Sequence, residues 1–180
     1  MAHLRTRLRS PAAKSLAALC AKGVSKSRGS RTSNHRFVEY AVAVVPDESE
    51  TLGDVFRRIP PHPSAPQLQP DADGFLWLTV EAFRGAFAPD ATASETALMA
   101  ATQKPISMKC LGEKMTRPAW KEKPSWFLIA EKDIMLSPET QRFTAARMKS
   151  KIVSSPVDHH PLASKPDAVT DLIIVAARAV

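Results

Sequence analysis

Two residues late in the chain have the types, order and placement for proton transfer. Trp126-Phe127-Leu128-Ile129-Ala130 is a short apolar run, and Asp133 follows it. Lys151-Ile152-Val153 is a second run, and His159 follows that. If both runs are strands of one open parallel sheet, the two groups stand outside the carboxyl ends of consecutive strands. Such sheets collect ligand and catalytic groups there. A carboxylate that accepts an imidazole N–H fixes the tautomer and stabilises the imidazolium, leaving the second ring nitrogen to take a proton from a nucleophile. Each residue also has a plainer reading. An Asp after a strand is often a turn former or a helix cap, and a loop His is often only solvated. His160 is adjacent and stays open as the base. His3, His35 and His62 lie in polar or Pro-rich surroundings and offer no partner.

The elements that must hold these groups follow from the pattern. Ser125–Ala130 reads as a buried strand. Ser137 caps a helix with Pro138 at its first position and Glu139 in its first turn, an arrangement that favours initiation. Phe143, Ala146 and Arg147 lie on one side of it. Residues 150–154 are a second strand. A helix headed by Ser164, Pro166 and Asp167 carries an apolar stripe of Val169, Leu172, Ile173, Ala176 and Ala177, at helical spacing. Strand, helix, strand, helix at this rhythm predicts parallel βαβ units.

Upstream, Phe37 to Val45 reads as a buried strand ended by Pro46. Residues 47–118 are punctuated by proline and lack the later alternation, so they read as an insertion. Leu52 to Ile59 is a short helix. Thr79 caps a second, with Phe83, Ala86 and Phe87 at helical spacing. Asp90 caps a third, running to about Thr102.

Charge divides the chain. Residues 1–38 hold nine basic side chains (Arg5, Arg7, Arg9, Lys14, Lys22, Lys26, Arg28, Arg31 and Arg36) and no acid. The remainder holds 16 basic residues against 18 acidic ones, so the formal charge of +7 belongs to a leader over 1–36. Low hydrophobicity with unbalanced charge predicts disorder there. An aberrant start, a targeting segment and a genuine tail all stay open for it. Clustered positive charge binds polyanions without specificity. No aromatic residues interleave it, so base stacking is not expected. Cys20 and Cys110 make neither a disulfide framework nor a metal-ligand spacing. No run approaches the roughly 18 apolar residues of a membrane span. The expectation is a cytoplasmic protein without cofactor or metal.

The wording around the two groups adds a resemblance. Pro118 to Asp133 resembles the stretch around the acid strand of bacterial α/β-hydrolases, the broad esterase and methylesterase-like group. Ser137 to Phe143, and Asp158-His159-His160-Pro161-Leu162-Ala163-Ser164-Lys165-Pro166 onward to Val169, continue it. Val38 to Glu48 is similar to the strand after the nucleophile helix, and Asp73 to Leu78 resembles part of the lid. The likeness covers about residues 37–180. It implies a partial α/β-hydrolase fold: a short parallel sheet with flanking helices and a helical lid insertion at about 47–118. It assigns Asp133 as the triad acid and His159 as the base, on a small ester-like substrate. Phe75, Trp77, Phe83, Phe87 and Trp120 would line an apolar pocket or simply pack the core.

The resemblance fails at the nucleophile. The family places a serine on a Gly-x-Ser-x-Gly turn between strand and helix. The nearest echo is Gly23-Val24-Ser25-Lys26-Ser27, with Ser27 where a glycine is wanted and no β-branched strand before it. The expectation is therefore a truncated hydrolase with an incomplete triad, inactive alone. The rival is a non-catalytic interaction protein that self-associates through the exposed edge of the strand at 37–45.

Overall fold

The central strand is apolar at nearly every position because it is covered on both faces. The computed structural model describes residues 36–180, so the basic leader and Ser25 lie outside the described residues. In it β1 (Val38–Ala41), β4 (Ser125–Ala130) and β5 (Lys151–Ser155) form a parallel sheet in the order β1-β4-β5. Every residue of β4 is buried. Strands of parallel sheets read as continuous hydrophobic runs for this reason.

Alternation sends the side chains of β4 into two cores. Phe127 and Ile129 meet Ala43, Val45, Ala145 and Met148, under Tyr40 and Trp120. Ala145 belongs to α5 (Pro138–Arg147), the crossover helix between β4 and β5. Trp126 and Leu128 meet Val169, Leu172 and Ala176 of α7 (Pro166–Arg178). Ile173 and Ala177 of the expected stripe are exposed. The edge strand β5 is exposed at its first four residues, Ile152 and Val153 included. Both helices lie over β4 rather than over this edge.

Two sequence expectations change, and α5 turns to the sheet a face that the sequence left unassigned. The strand at 37–45 stops after Ala41, because Val42 adopts a left-handed φ of 52° and turns the chain off the ladder. Ala43, Val44 and Val45 are buried without being strand. The inner face of α5 is Thr140, Gln141, Thr144 and Ala145, whereas Phe143 and Arg147 face the segment after β1. There Arg147 pairs with Glu50 at 2.6 Å and lies over the Phe143 ring. Finally, the helix headed by Ser164 divides into α6 (Pro161–Ser164) and α7. The Ser164 hydroxyl turns back to Asp158 instead of capping α7.

The insertion is helical with a small ribbon. α1 (Leu52–Arg58) starts in a capping box between Thr51 and Asp54. β2 (Phe75–Leu76) pairs antiparallel with β3 (Ile106–Ser107), a strand absent from the sequence reading. α2 (Val80–Ala82), capped by Thr79 as expected, runs into a π-turn at Phe83–Phe87. α3 (Ala93–Thr102) is capped by Thr92 in a box with Glu95, not by Asp90. α4 (Met108–Gly112) follows β3.

Candidate functional site

The loops after β4 and β5 are tied together by backbone hydrogen bonds alone. The Glu131 amide donates to the Ser155 carbonyl at 2.9 Å, and the Lys132 amide to Val157 at 3.1 Å. These bonds extend the ladder past the strand ends. They bring the turn bearing Asp133 alongside the turn bearing His159, at the carboxyl rim of the sheet.

Asp133 is fully buried at its side chain. Its amide closes a turn onto the Ala130 carbonyl at 3.2 Å. Oδ1 accepts the Leu136 amide at 2.9 Å. Oδ2 accepts Gln141 Nε2 at 2.8 Å and meets His159 Nδ1 at 2.9 Å. An ionised carboxylate only accepts, so with Asp133 ionised the proton of that contact sits on Nδ1. The other ring nitrogen, Nε2, is then the one left for a reacting proton. His159 keeps one fifth of its side-chain surface exposed.

Gln141 is the residue that sequence reasoning missed. It is fully buried and sits one turn into α5. Its Oε1 accepts the Ala130 amide at 2.9 Å, and its Nε2 also donates to the Leu136 carbonyl at 2.8 Å. One amide thus joins the end of β4, the loop and Asp133. Its sequence signal was a polar residue four positions after the Ser137 cap, on the face that α5 turns to the sheet.

His160 lies beside the pair but is held differently. Its amide donates to Asp158 Oδ1 at 2.9 Å, which also accepts the Ser164 hydroxyl at 2.7 Å. Burial pushes the His160 imidazole below its usual range, with His159 adding to this and the Asp158 carboxylate opposing it. No carboxylate is hydrogen-bonded to its ring among the described residues. The geometry therefore joins Asp133 to His159 and not to His160.

The expected pocket aromatics separate. Phe87 lies 5.1 Å from the His159 ring and 5.2 Å from the His160 ring, centroid to centroid. Phe83 is buried behind Phe87. Trp120 packs on the sheet core. Trp77 is exposed and donates to Asp71, and Phe75 stands in the small ribbon. An open cavity of about 570 Å³ is lined by Thr51, Gly53, Arg57, Met108, Leu111 and Lys114 among others, and by none of the site residues. Among the described residues His159 makes no hydrogen bond to a serine, threonine or cysteine, and no cluster of three or more His, Cys, Asp or Glu could hold a metal ion. No described helix is long and apolar enough to cross a membrane.

No family model matches the chain, and no curated protein matches it. Solved structures do. Polyneuridine aldehyde esterase superposes with a TM-score of 0.62 at 12% identity, over 78% of this chain and 62% of that one. A pyrethroid hydrolase from Sphingobium faniae JZ-2 gives 0.60 at 21%, over 80% and 61%. A methylesterase from Arabidopsis gives 0.60 at 16%, over 81% and 60%. The chain thus spans about three fifths of the length of these structures. The fold is that of the α/β-hydrolases, present in part.

Proposed function

We propose that residues 36–180 are the acid–base half of an ester-type hydrolase, with Asp133 as the acid and His159 as the base. One observation carries the reading: the 2.9 Å contact of His159 Nδ1 with a buried carboxylate at the carboxyl rim of a parallel sheet. Two of the structural neighbours are esterases, which favours an ester over other acyl substrates.

The chemistry follows from the contacts. Asp133 holds the ring by Nδ1, so Nε2 points its lone pair away from the acid. A hydroxyl presented there would lose its proton to Nε2 as it attacked an ester carbonyl. The imidazolium that forms would be stabilised by Asp133, and would then return the proton to the leaving alcohol. Gln141 and the Leu136 amide also donate to Asp133. The carboxylate is thereby kept as an orienting acceptor and not as a base of its own.

One part of that reaction has no counterpart among the described residues: no serine, threonine or cysteine is hydrogen-bonded to His159. The reaction also needs a pair of amides to stabilise the oxyanion, usually the largest electrostatic contribution to acyl transfer. In this reading the hydroxyl is not supplied by this chain, which alone does not turn over esters.

The test is hydrolysis of a short-chain aryl ester by the purified chain beside its His159→Ala variant. Equal background rates are expected. Turnover that falls to background in His159→Ala would overturn the inactive half-site and show that the missing hydroxyl is supplied within the chain.

A further inference from the structure

We propose that Phe87 is a positioning residue for the base, through which the lid orients both imidazoles of the His159–His160 turn. The proposal rests on His159 being the proton acceptor, as read above.

The backbone delivers the ring. Between Phe83 and Ala88 the chain closes an i to i+5 turn, with the Ala88 amide donating to the Phe83 carbonyl at 2.9 Å. Such π-turns admit an extra residue and redirect the side chains beyond them, and they recur at functional sites. Phe83 and Ala86 are buried within the insertion, while Phe87 is half-buried at its border with the sheet rim. The Phe83 ring supports Phe87 from behind, 5.0 Å away and inclined by 66°. In front, Phe87 meets His159 at 61° and His160 at 31°. One phenyl ring therefore touches three other rings. All three separations fall within the roughly 4.5–7 Å that favours edge and offset contacts.

The restraint is needed because the hydrogen bond alone does not fix the base. The Nδ1–Oδ2 contact is a single restraint on the two side-chain torsions of His159. The edge contact with Phe87 supplies a second point. His160 is restrained in two places as well: Asp158 holds its amide, and Phe87 holds its ring. The main chain of the turn is thus set by Asp158, and the planes of its two imidazoles are set by the lid.

The test reads the imidazoles directly, so it is independent of hydrolysis. The full chain, labelled at histidine, is compared by NMR with Phe87→Leu, Phe87→Tyr and the lid control Trp77→Phe. In Phe87→Leu the ring signals of both His159 and His160 shift, and the share of His159 carrying its proton on Nδ1 falls. Phe87→Tyr, which keeps the ring, restores both signals, and Trp77→Phe leaves them in place. Phe87→Met is the second ring-free variant should Phe87→Leu not fold, with the same expectation. An unchanged share of His159 carrying its proton on Nδ1 in a folded ring-free variant would overturn the proposal. A wild-type His159 without its proton on Nδ1 would instead refute the acid–base reading.

Discussion

At the scale of single residues the site depends on a neutral amide. Gln141 accepts from the Ala130 amide and donates both to Asp133 and to the Leu136 carbonyl, all in a buried setting. Removing it strands a buried donor, a buried carbonyl and part of a buried carboxylate. Each orphaned group costs about 1–3 kcal/mol. Gln141→Ala is therefore expected to lower unfolding stability by roughly 2–4 kcal/mol in urea titrations. Gln141→Glu places a second carboxyl against Asp133, and like charges so close cannot both stay ionised. It should unfold more readily at pH 8 than at pH 5, a range in which the Glu50 contribution argued below is nearly constant. A Gln141→Ala chain of wild-type stability would mean that this network does not hold the acid. The meeting of Asp133 and His159 at one rim was legible in the sequence because each follows an apolar run by a few residues. Gln141 was not, because its place is set by which face α5 turns to the sheet.

At the scale of elements, α5 shows why that face was not legible. The sequence sets Phe143, Ala146 and Arg147 on one side, and the helix buries Thr140, Gln141 and Thr144 on another. The strand end it covers needs small and hydrogen-bonding side chains, and Phe143 is taken up by Val44, Leu52, Val55 and Leu136. Tertiary demand overrode local pattern there. The strand at 37–45 was too long for a similar reason: periodicity records burial, and Ala43 to Val45 are buried without pairing. The caps at Ser137 and Thr79 were legible because capping is local chemistry. The end of α5 is local too. The Lys149 amide returns to Ala146 at 3.0 Å and the Ser150 amide to Ala145 at 3.0 Å, with Lys149 at a φ of 53°. This double closure is the Schellman arrangement, whose left-handed position favours glycine. A left-handed residue with a Cβ costs about 1–2 kcal/mol. Lys149 is exposed and has no packing to lose. Lys149→Gly is expected to stabilise the chain by up to about 1 kcal/mol, after the greater unfolded-state freedom of glycine is subtracted. Differential unfolding of the two chains checks the sign.

At the scale of the whole molecule, one carboxylate joins the segment after β1 to the far crossover helix. Glu50 is almost completely buried. It accepts from Arg147 Nη1 at 2.6 Å, from Arg58 at 2.8 and 3.0 Å, and from the Asp47 amide at 2.8 Å. Arg147 also donates to the Val45 carbonyl, so the cluster fastens three stretches of chain at once. Burial alone would raise the Glu50 carboxyl. The Asp47 amide and the two guanidiniums outweigh it and hold the group below the usual range. The sign of the pH dependence follows. A carboxyl depressed in the folded state contributes its full stability above its unfolded pKa, about 4.3 for Glu. That contribution is lost as pH falls through the lower folded value. Wild-type melting temperature should therefore drop on the acid side, beginning near the unfolded value. Glu50→Gln keeps the shape but not the charge, and leaves Arg147 partly buried and unpaired. At neutral pH it should be less stable by about 2–3 kcal/mol, the scale of hydrogen bonds to charged groups. The gap between the two chains should close toward low pH, where Glu50 is protonated in both states. Melting curves of both chains across the acid range decide the matter: a gap that stays constant would assign the stability to packing around residue 50 and not to its charge.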